Sequence, residues 1–272
     1  QPYRNPSKTA YLPSGPGFTS APHIHWSRTP TTEKDPYSPV FPPPAIVDDE
    51  LYTVRALVYG PQVAQPEEHF LHAPTPDGEE RWTEPITADD DSTPVPTFPV
   101  VHSDHVLVGV DKEVQAFDRE TSDLGWTVGV EESVEGLIPT PDRVYVRAGR
   151  SISAITAERR RWMTPFEDYP GTLAVGSDAV FTTTSRRLHR LDPASGRIRW
   201  TQELPAVEGG WAVSRLLAVP GGVLARQYSG HLYGFTESGR EVWRTSGIED
   251  ALATDGNTLF AGTTGSVRAL RV

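Results

Sequence analysis

Tryptophan recurs at one position of a repeat about 40 residues long, each repeat reads as four short strands, and acidic or glycine turns separate the strands. Together these observations predict an all-β chain and, within that class, a six-bladed β-propeller of four-stranded antiparallel blades. The unit is plainest in L-H-R-L-D-P-A-S-G-R-I-R-W at 188–200. L-H-R-L ends a strand. In D-P-A-S-G, Pro193 pre-sets φ and Gly196 takes the left-handed conformation that closes a hairpin. R-I-R-W then alternates polar and apolar residues, as a following strand does.

Six of the seven tryptophans hold the repeat position: Trp26, Trp82, Trp126, Trp162, Trp200 and Trp243, separated by 56, 44, 36, 38 and 43 residues. Trp82, Trp200 and Trp243 each stand four residues after a turn glycine (Gly78, Gly196, Gly239); Trp126 and Trp162 lack that glycine. Upstream of the hairpins, a turn leads into an apolar strand. Asp48-Asp49 precedes Leu51-Tyr52, Ser103-Asp104 precedes V-L-V at 106–108, and Pro141-Asp142 precedes V-Y-V at 144–146. Ser177-Asp178, Gly221-Gly222 and D-G-N at 255–257 introduce the later ones. From turn to tryptophan the count is 22 for Asp104, 20 for Asp142, 22 for Asp178 and 21 for Gly222. Another strand precedes each hairpin turn: V-Q-A-F at 114–117, I-S-A-I at 152–155, L-Y-G-F at 232–235 and V-R-A-L at 267–270. The first strand of a unit is exemplified by F-P-V-V at 98–101 and G-T-L-A-V at 171–175. A two-sheet sandwich would not ask for tryptophan at one repeat position six times.

The two ends of the repeat are incomplete in complementary ways. V-R-A-L at 267–270 has no hairpin or tryptophan after it, while Trp26 has no blade before it. The expected closure therefore uses residues 22–28 as the outer strand of the last blade, which removes an open sheet edge. Residues 1–21, rich in Pro, Gly, Ser and Thr, read as an extended tether, and residues 22–272 as a single propeller domain. The first unit is about a dozen residues longer than its siblings, with the surplus at about 60–69. An insertion that the scaffold does not need is a place for function. Gln62, Gln65, Glu67 and Glu68 within it are candidate partner contacts, as is Trp211, the tryptophan outside the repeat position.

A turn followed by V-x-V, then a strand ending A-[FIL] or its like, then D-x-x-[ST]-G-x-x-x-W, resembles the quinoprotein-like (PQQ-repeat) β-propeller family, over residues 40–272. The resemblance implies that the repeat tryptophans dock neighbouring blades. It also implies one of two activities: enzymes holding pyrroloquinoline quinone with calcium, or non-enzymatic envelope-assembly propellers of the BamB-like branch. The enzymes are longer, eight-bladed chains, many with a vicinal Cys-Cys disulfide against the cofactor. This chain has no Cys, and no calcium-binding Glu/Asn/Asp set falls on a family motif. The resemblance therefore favours the non-enzymatic branch, with no cofactor.

Composition narrows the partners. A net charge of −11 repels nucleic-acid phosphates. No apolar run approaches the roughly 20 residues of a membrane span. Of 25 basic residues only three are Lys (Lys8, Lys34, Lys112). Surplus acid with scarce Lys suits a high-salt environment, and a GC-rich genome produces the same Lys-to-Arg exchange. The tether-like start fits a mature, processed chain following a signal or lipid-anchor sequence, hence an extracellular or envelope-associated location.

Close histidine pairs (His23 and His25, His69 and His72, His102 and His105) have chelating spacing, but a metal site needs three or four ligands. The run A-D-D-D-S at 88–92 lacks the Gly and Glu of a calcium loop and reads as a solvated connection. Arg159, Arg160 and Arg161 replace the glycine turn of one hairpin and offer an anion site or simply a charged turn tip. No G-x-S-x-G elbow or P-loop is present. The sequence thus predicts a monomeric, non-catalytic propeller that docks a protein partner through its loops; the alternative is a quinone- or metal-dependent oxidoreductase.

Overall fold

The computed structural model describes residues 38–40, 43–58, 68–87, 96–157, 159–205, 213–249, 252–254, 258–263 and 266–271. All regular structure among them is β, in six antiparallel sheets. Sheet 1 holds β1 (Ser38–Val40), β2 (Ala45–Val47), β3 (Glu50–Val58), β4 (Glu68–Pro74) and β5 (Glu80–Ile86). Sheet 2 holds β6 (Val100–His102), β7 (His105–Val110), β8 (Glu113–Asp118) and β9 (Leu124–Gly129). Sheet 3 holds β10 (Val134–Thr140), β11 (Arg143–Ala148), β12 (Ser151–Thr156) and β13 (Arg159–Pro165). Sheet 4 holds β14 (Pro170–Val175), β15 (Val180–Thr184), β16 (Arg187–Leu191) and β17 (Ile198–Glu203). Sheet 5 holds β18 (Val213–Val219), β19 (Gly222–Gln227), β20 (Leu232–Thr236) and β21 (Glu241–Thr245). Sheet 6 holds β22 (Leu252–Thr254), β23 (Thr258–Thr263) and β24 (Ser266–Arg271). Each sheet is a meander of strands in chain order, and the fold is a β-propeller with these sheets as blades.

Two sheets depart from four strands. In sheet 1 the first strand is split, so that β1 pairs with the end of β3 and β2 with its start. Pro43 and Pro44, which have no N–H to give, lie in the break. Sheet 6 has three described strands, and residues 22–28, expected to complete it, lie outside the described residues. β6 is also shorter than the sequence suggests, starting at Val100 after Pro99 rather than at Phe98.

The hairpin turns form as their residues dictate. Gly196 has φ of 72°, Gly78 and Gly239 of 85°, and Ser122, at the glycine position of sheet 2, takes 69°. Asp192 Oδ1 accepts from the backbone N of Ala194 (3.0 Å) and Ser195 (2.9 Å), an Asx turn that Asp118 repeats with Glu120 and Thr121. Hydrogen bonds from Arg199 and then Ser195 hold the Asp192 carboxyl well below the usual carboxylate range. The A-[FIL] ending also has a physical cause. Trp82 stands opposite Ala73, Trp126 opposite Ala116 and Trp243 opposite Gly234, each followed by a bulge in the register. A Cβ on Gly234 would come within 2.6 Å of Trp243 Nε1, so that indole needs a glycine across the ladder, whereas Trp200 stands opposite Arg190 at the same bulge.

The chain falls into two compact units, the first carrying sheets 1 and 2 and the second sheets 4 to 6, with the division running through sheet 3. In the first unit, Tyr52, Val54, Leu71, Ala73, Val106, Val108 and Phe117 form the core between sheets 1 and 2. In the second, Phe181, Leu188, Leu216, Val223, Tyr233 and Phe235 do so between sheets 4 and 5. Burial of these alternating side chains is the main stabilising term.

Candidate docking surface

Three of the repeat tryptophans donate to the same kind of atom. Trp82 Nε1 donates to Arg119 O (3.1 Å), Trp162 Nε1 to Pro193 O (2.9 Å) and Trp200 Nε1 to Glu237 O (2.6 Å). Each acceptor is the second residue of the hairpin turn in the following sheet. The turn glycine therefore has two duties. Besides its positive φ, Gly196 lies against the Trp162 ring, where a Cβ would sit 2.6 Å from Cδ2. In sheet 3, which follows that of Trp126, the sequence lacks D-x-x-S-G between β12 and β13, and Trp126 Nε1 is buried with no acceptor among the described residues.

Where the first two sheets meet, a cluster of charge surrounds this bond. Arg119 Nε and Nη2 donate to Glu50 Oε2 (2.9 and 2.5 Å), Arg119 Nη2 also to Asp48 Oδ2 (3.2 Å), and Tyr52 OH to Glu50 Oε2 (2.5 Å). Arg81 bonds Glu50, the Tyr52 hydroxyl and the Arg119 carbonyl. Burial alone would raise the Glu50 pKa, but hydrogen bonds from Tyr52, Arg119 and Arg81 outweigh it and hold it at about 2. Every charge here is answered within the cluster, which joins sheets rather than awaiting a ligand.

Antiparallel alternation gives each sheet a hairpin end, with the turns between its first and second and its third and fourth strands. The opposite, crossover end carries the turn between second and third strands and the connection to the next sheet. A recurrent backbone bond fixes the crossover end: Phe166 N donates to Arg150 O (2.8 Å), Leu204 N to Arg186 O (2.7 Å), Ile248 N to Gly230 O (3.0 Å) and Val130 N to Lys112 O (2.7 Å). Buried glutamines add to it, with Gln227 Nε2 donating to Pro205 O (3.0 Å) and Gln115 Nε2 to Thr87 O (2.6 Å).

On this fixed end, the second unit exposes aromatic and arginine side chains. Tyr169 is 58% exposed, with the Arg150 guanidinium 5.0 Å from its ring centroid, and Tyr228 is 70% exposed at the β19–β20 turn. Beneath Tyr169, Phe166 packs edge-on to His189 at 5.3 Å, and Asp168 accepts from Ser185 Oγ (2.6 Å). His189 is buried between Thr184 Oγ1 (2.7 Å) and Thr201 Oγ1 (2.9 Å). Burial, with nearby Arg187, lowers its pKa to about 4, so it is a neutral structural histidine. Tyrosine and arginine are the side chains that dominate protein–protein contacts.

Of the residues expected to contact a partner, Gln62, Gln65, Glu67 and Trp211 lie outside the described residues, and so does Trp26. Glu68 opens β4 opposite Leu57, so residues 68 and 69 of the expected insertion are strand. The flanking strands of the insertion, β3 and β4, meet it at the crossover end of sheet 1. His23, His25 and residues 88–92 also fall outside the description. Among the described residues, His72 Nδ1 bonds Thr83 Oγ1 (2.7 Å), and no three His, Asp or Glu come together as a metal-holding group. Arg159, Arg160 and Arg161 are exposed at the start of β13. No described helix is long and apolar enough to cross a membrane. Sequence reasoning misses Tyr169, Tyr228 and Arg150; E-D-Y-P and Y-S-G are turn signals, but they do not reveal exposure.

Residues 150–272 match the family described as outer membrane protein assembly factor BamB. No curated protein matches the sequence. Among solved structures, BamB from Moraxella catarrhalis is similar, with a TM-score of 0.59 and 14% identity over 85% of this chain and 72% of that one. Sqt1 from Saccharomyces cerevisiae has a TM-score of 0.61 and 12% identity over 86% and 71%. BBS1N, solved in complex with ARL6DN, has a TM-score of 0.55 and 14% identity over 81% and 86%. At such identities these likenesses show the fold alone. Taken with the repeat and its bulged register, they show a β-propeller fold, with the PQQ-type family match itself covering residues 150–272.

Proposed function

We propose that this chain is a non-catalytic scaffold at the cell envelope, docking a protein partner on the crossover end of its sheets. The observation that carries the reading is the exposed Tyr169–Arg150 pair and Tyr228, mounted on backbone that its own hydrogen bonds hold rigid. Rigid aromatic anchors lose little entropy on binding, which is what a docking face requires. The family description of an outer membrane assembly factor supports the envelope location, and BBS1N in its complex with ARL6DN is a propeller-like relative with a bound partner. In this reading residues 1–21 are a tether, residues 22–272 one domain, and the loop at about 60–69 part of the contact surface.

The test is crosslinking in native envelopes, comparing the wild-type chain with the Tyr169→Ser/Tyr228→Ser double variant. A discrete crosslinked partner that the double variant loses, at unchanged thermal stability, is the expected result. An identical crosslinking pattern in both proteins rules the crossover end out.

A further inference from the structure

At the hairpin end of sheets 4 and 5, opposite the proposed docking end, the second unit has a cleft of about 260 Å³. Its floor and walls are Phe181, Ala218, Val219 and Pro220, and Asp178 and Glu237 stand at its mouth. Ser177 and three glycines, Gly176, Gly221 and Gly222, line the rest, and a Cβ on Gly221 would meet nothing within 4 Å. None of these lining residues is basic. Small-molecule sites run to about 300–1,000 Å³, so the cleft suits a single long side chain better than a cofactor.

Neither carboxylate is fully spent on the fold. Glu237 is pinned through its backbone: its N donates to Gly221 O (2.9 Å) and its O accepts from Trp200 Nε1 (2.6 Å). Its carboxylate has no partner among the described residues. Asp178 accepts from Arg190 Nη2 at its Oδ2 (a long 3.3 Å) and at its backbone O (3.4 Å), and its side chain is 58% exposed. The setting makes this unusual. Residues 149–272 hold 15 Lys and Arg against 12 Asp and Glu, while residues 1–148 hold 10 against 24. An acidic mouth, only partly answered by Arg190, thus sits over an apolar trough in the less acidic part of the chain.

We propose that this cleft takes an arginine side chain from an extended peptide segment of a partner protein. The methylene stem lies on Phe181, Ala218 and Pro220, and the guanidinium reaches Glu237 and the free side of Asp178. The site is separate from the crossover-end surface, and either stands without the other.

The test is a titration of the isotope-labelled full chain with the capped peptide acetyl-Gly-Ser-Arg-Ser-Gly-amide, followed by NMR. The amides of Gly176, Gly221 and Gly222 and the indole N–H of Trp200 report on the cleft. Saturable shifts at these four groups are expected, about tenfold weaker with Gln replacing Arg in the peptide and about tenfold weaker in Glu237→Gln. Asp178→Asn, which also frees Arg190 to repel the peptide, weakens binding at least as much. Both substitutions lie at exposed side chains and leave the unliganded spectrum otherwise unchanged. Absence of shifts at the four groups, equal binding of the Gln peptide, or unchanged affinity in Glu237→Gln overturns the proposal.

Discussion

Between sheets 1 and 2, Trp82 donates to a turn carbonyl amid Glu50, Tyr52, Arg81 and Arg119; between sheets 4 and 5, Trp200 makes the same bond amid Phe181 and Leu216. The bond belongs to the repeat, and the filling does not. The first joint is locked by interdigitated charge whose members bond one another. The second is apolar around its tryptophan and leaves an acid-rimmed cleft at the surface. A propeller can thus keep one docking rule and vary the material around it, which is how a repeated unit acquires one place that differs from the others.

The receptor side of the docking bond offers the largest effect. Gly196→Ala forces an alanine into φ of 72° and drives its Cβ to 2.6 Å from Trp162 Cδ2. Left-handed backbone costs about 1–2 kcal/mol and overpacking about 1–3 more, so the expected loss is roughly 2–5 kcal/mol. Gly239→Ala has φ of 85° but a gentler 3.0 Å approach to Trp200, and Gly221→Ala has φ of 81° and no neighbour at all. Urea unfolding should rank the three as Gly196 worst, then Gly239, then Gly221 at only about 1–2 kcal/mol. Equal losses would mean that the glycine serves its own turn and not its neighbour's tryptophan.

That dual duty marks the limit of what the residues reveal along the chain. Strands, turns and the tryptophan period are local, set by alternation and by φ preferences within a few positions, and the sheets follow them closely. Gly196 is legible as a turn residue, yet its contact with Trp162 spans 34 positions and leaves no local trace. The Glu50 cluster is drawn from residues 48, 50, 52, 81 and 119, none of which forms a motif. Pro42, Pro43 and Pro44 are visible as strand breakers, but their outcome, one strand split around a shared partner, depends on β3 being long enough to hold both halves. The cleft is invisible in the sequence because its acids, Asp178 and Glu237, are ordinary turn residues that only sheet packing brings to one mouth.

The two units should also respond to acid in different windows. His189 in sheet 4 is kept neutral, its pKa lowered from about 6.5 to about 4. The unfolded chain binds its proton first, so stability is full above pH 6.5 and is lost as pH falls to 4, by about 3 kcal/mol. Glu50 runs later: its pKa of about 2 against an ordinary 4.5 gives stability that is full above pH 4.5 and lost only toward pH 2. With 28% of its side chain exposed, the Glu50 loss is smaller, about 1–2 kcal/mol. Unfolding free energies measured from pH 7 to 4 should fall in the wild type and flatten in His189→Gln. A slope that survives the substitution unchanged would locate the acid sensitivity elsewhere.

The smallest effect isolates the docking bond itself. Trp200→Phe removes the indole N–H that Glu237 O accepts at 2.6 Å, while keeping an aromatic ring in the joint. Trp126→Phe removes an N–H that is buried without an acceptor among the described residues. Both substitutions lose similar apolar area, so their difference reports the hydrogen bond and its orphaned counterpart. A made bond contributes about 1 kcal/mol, and an unmade buried donor costs about 1–3 kcal/mol, so Trp126→Phe should be close to neutral. Trp200→Phe should be the more destabilising by about 1–2 kcal/mol in paired urea melts. The same contrast should appear between Trp162→Phe and Trp126→Phe, because Pro193 O stands where Glu237 O does. If Trp126→Phe proves as costly as the other two, the turn between β12 and β13 still supplies an acceptor to Trp126, and the docking rule does not depend on D-x-x-S-G.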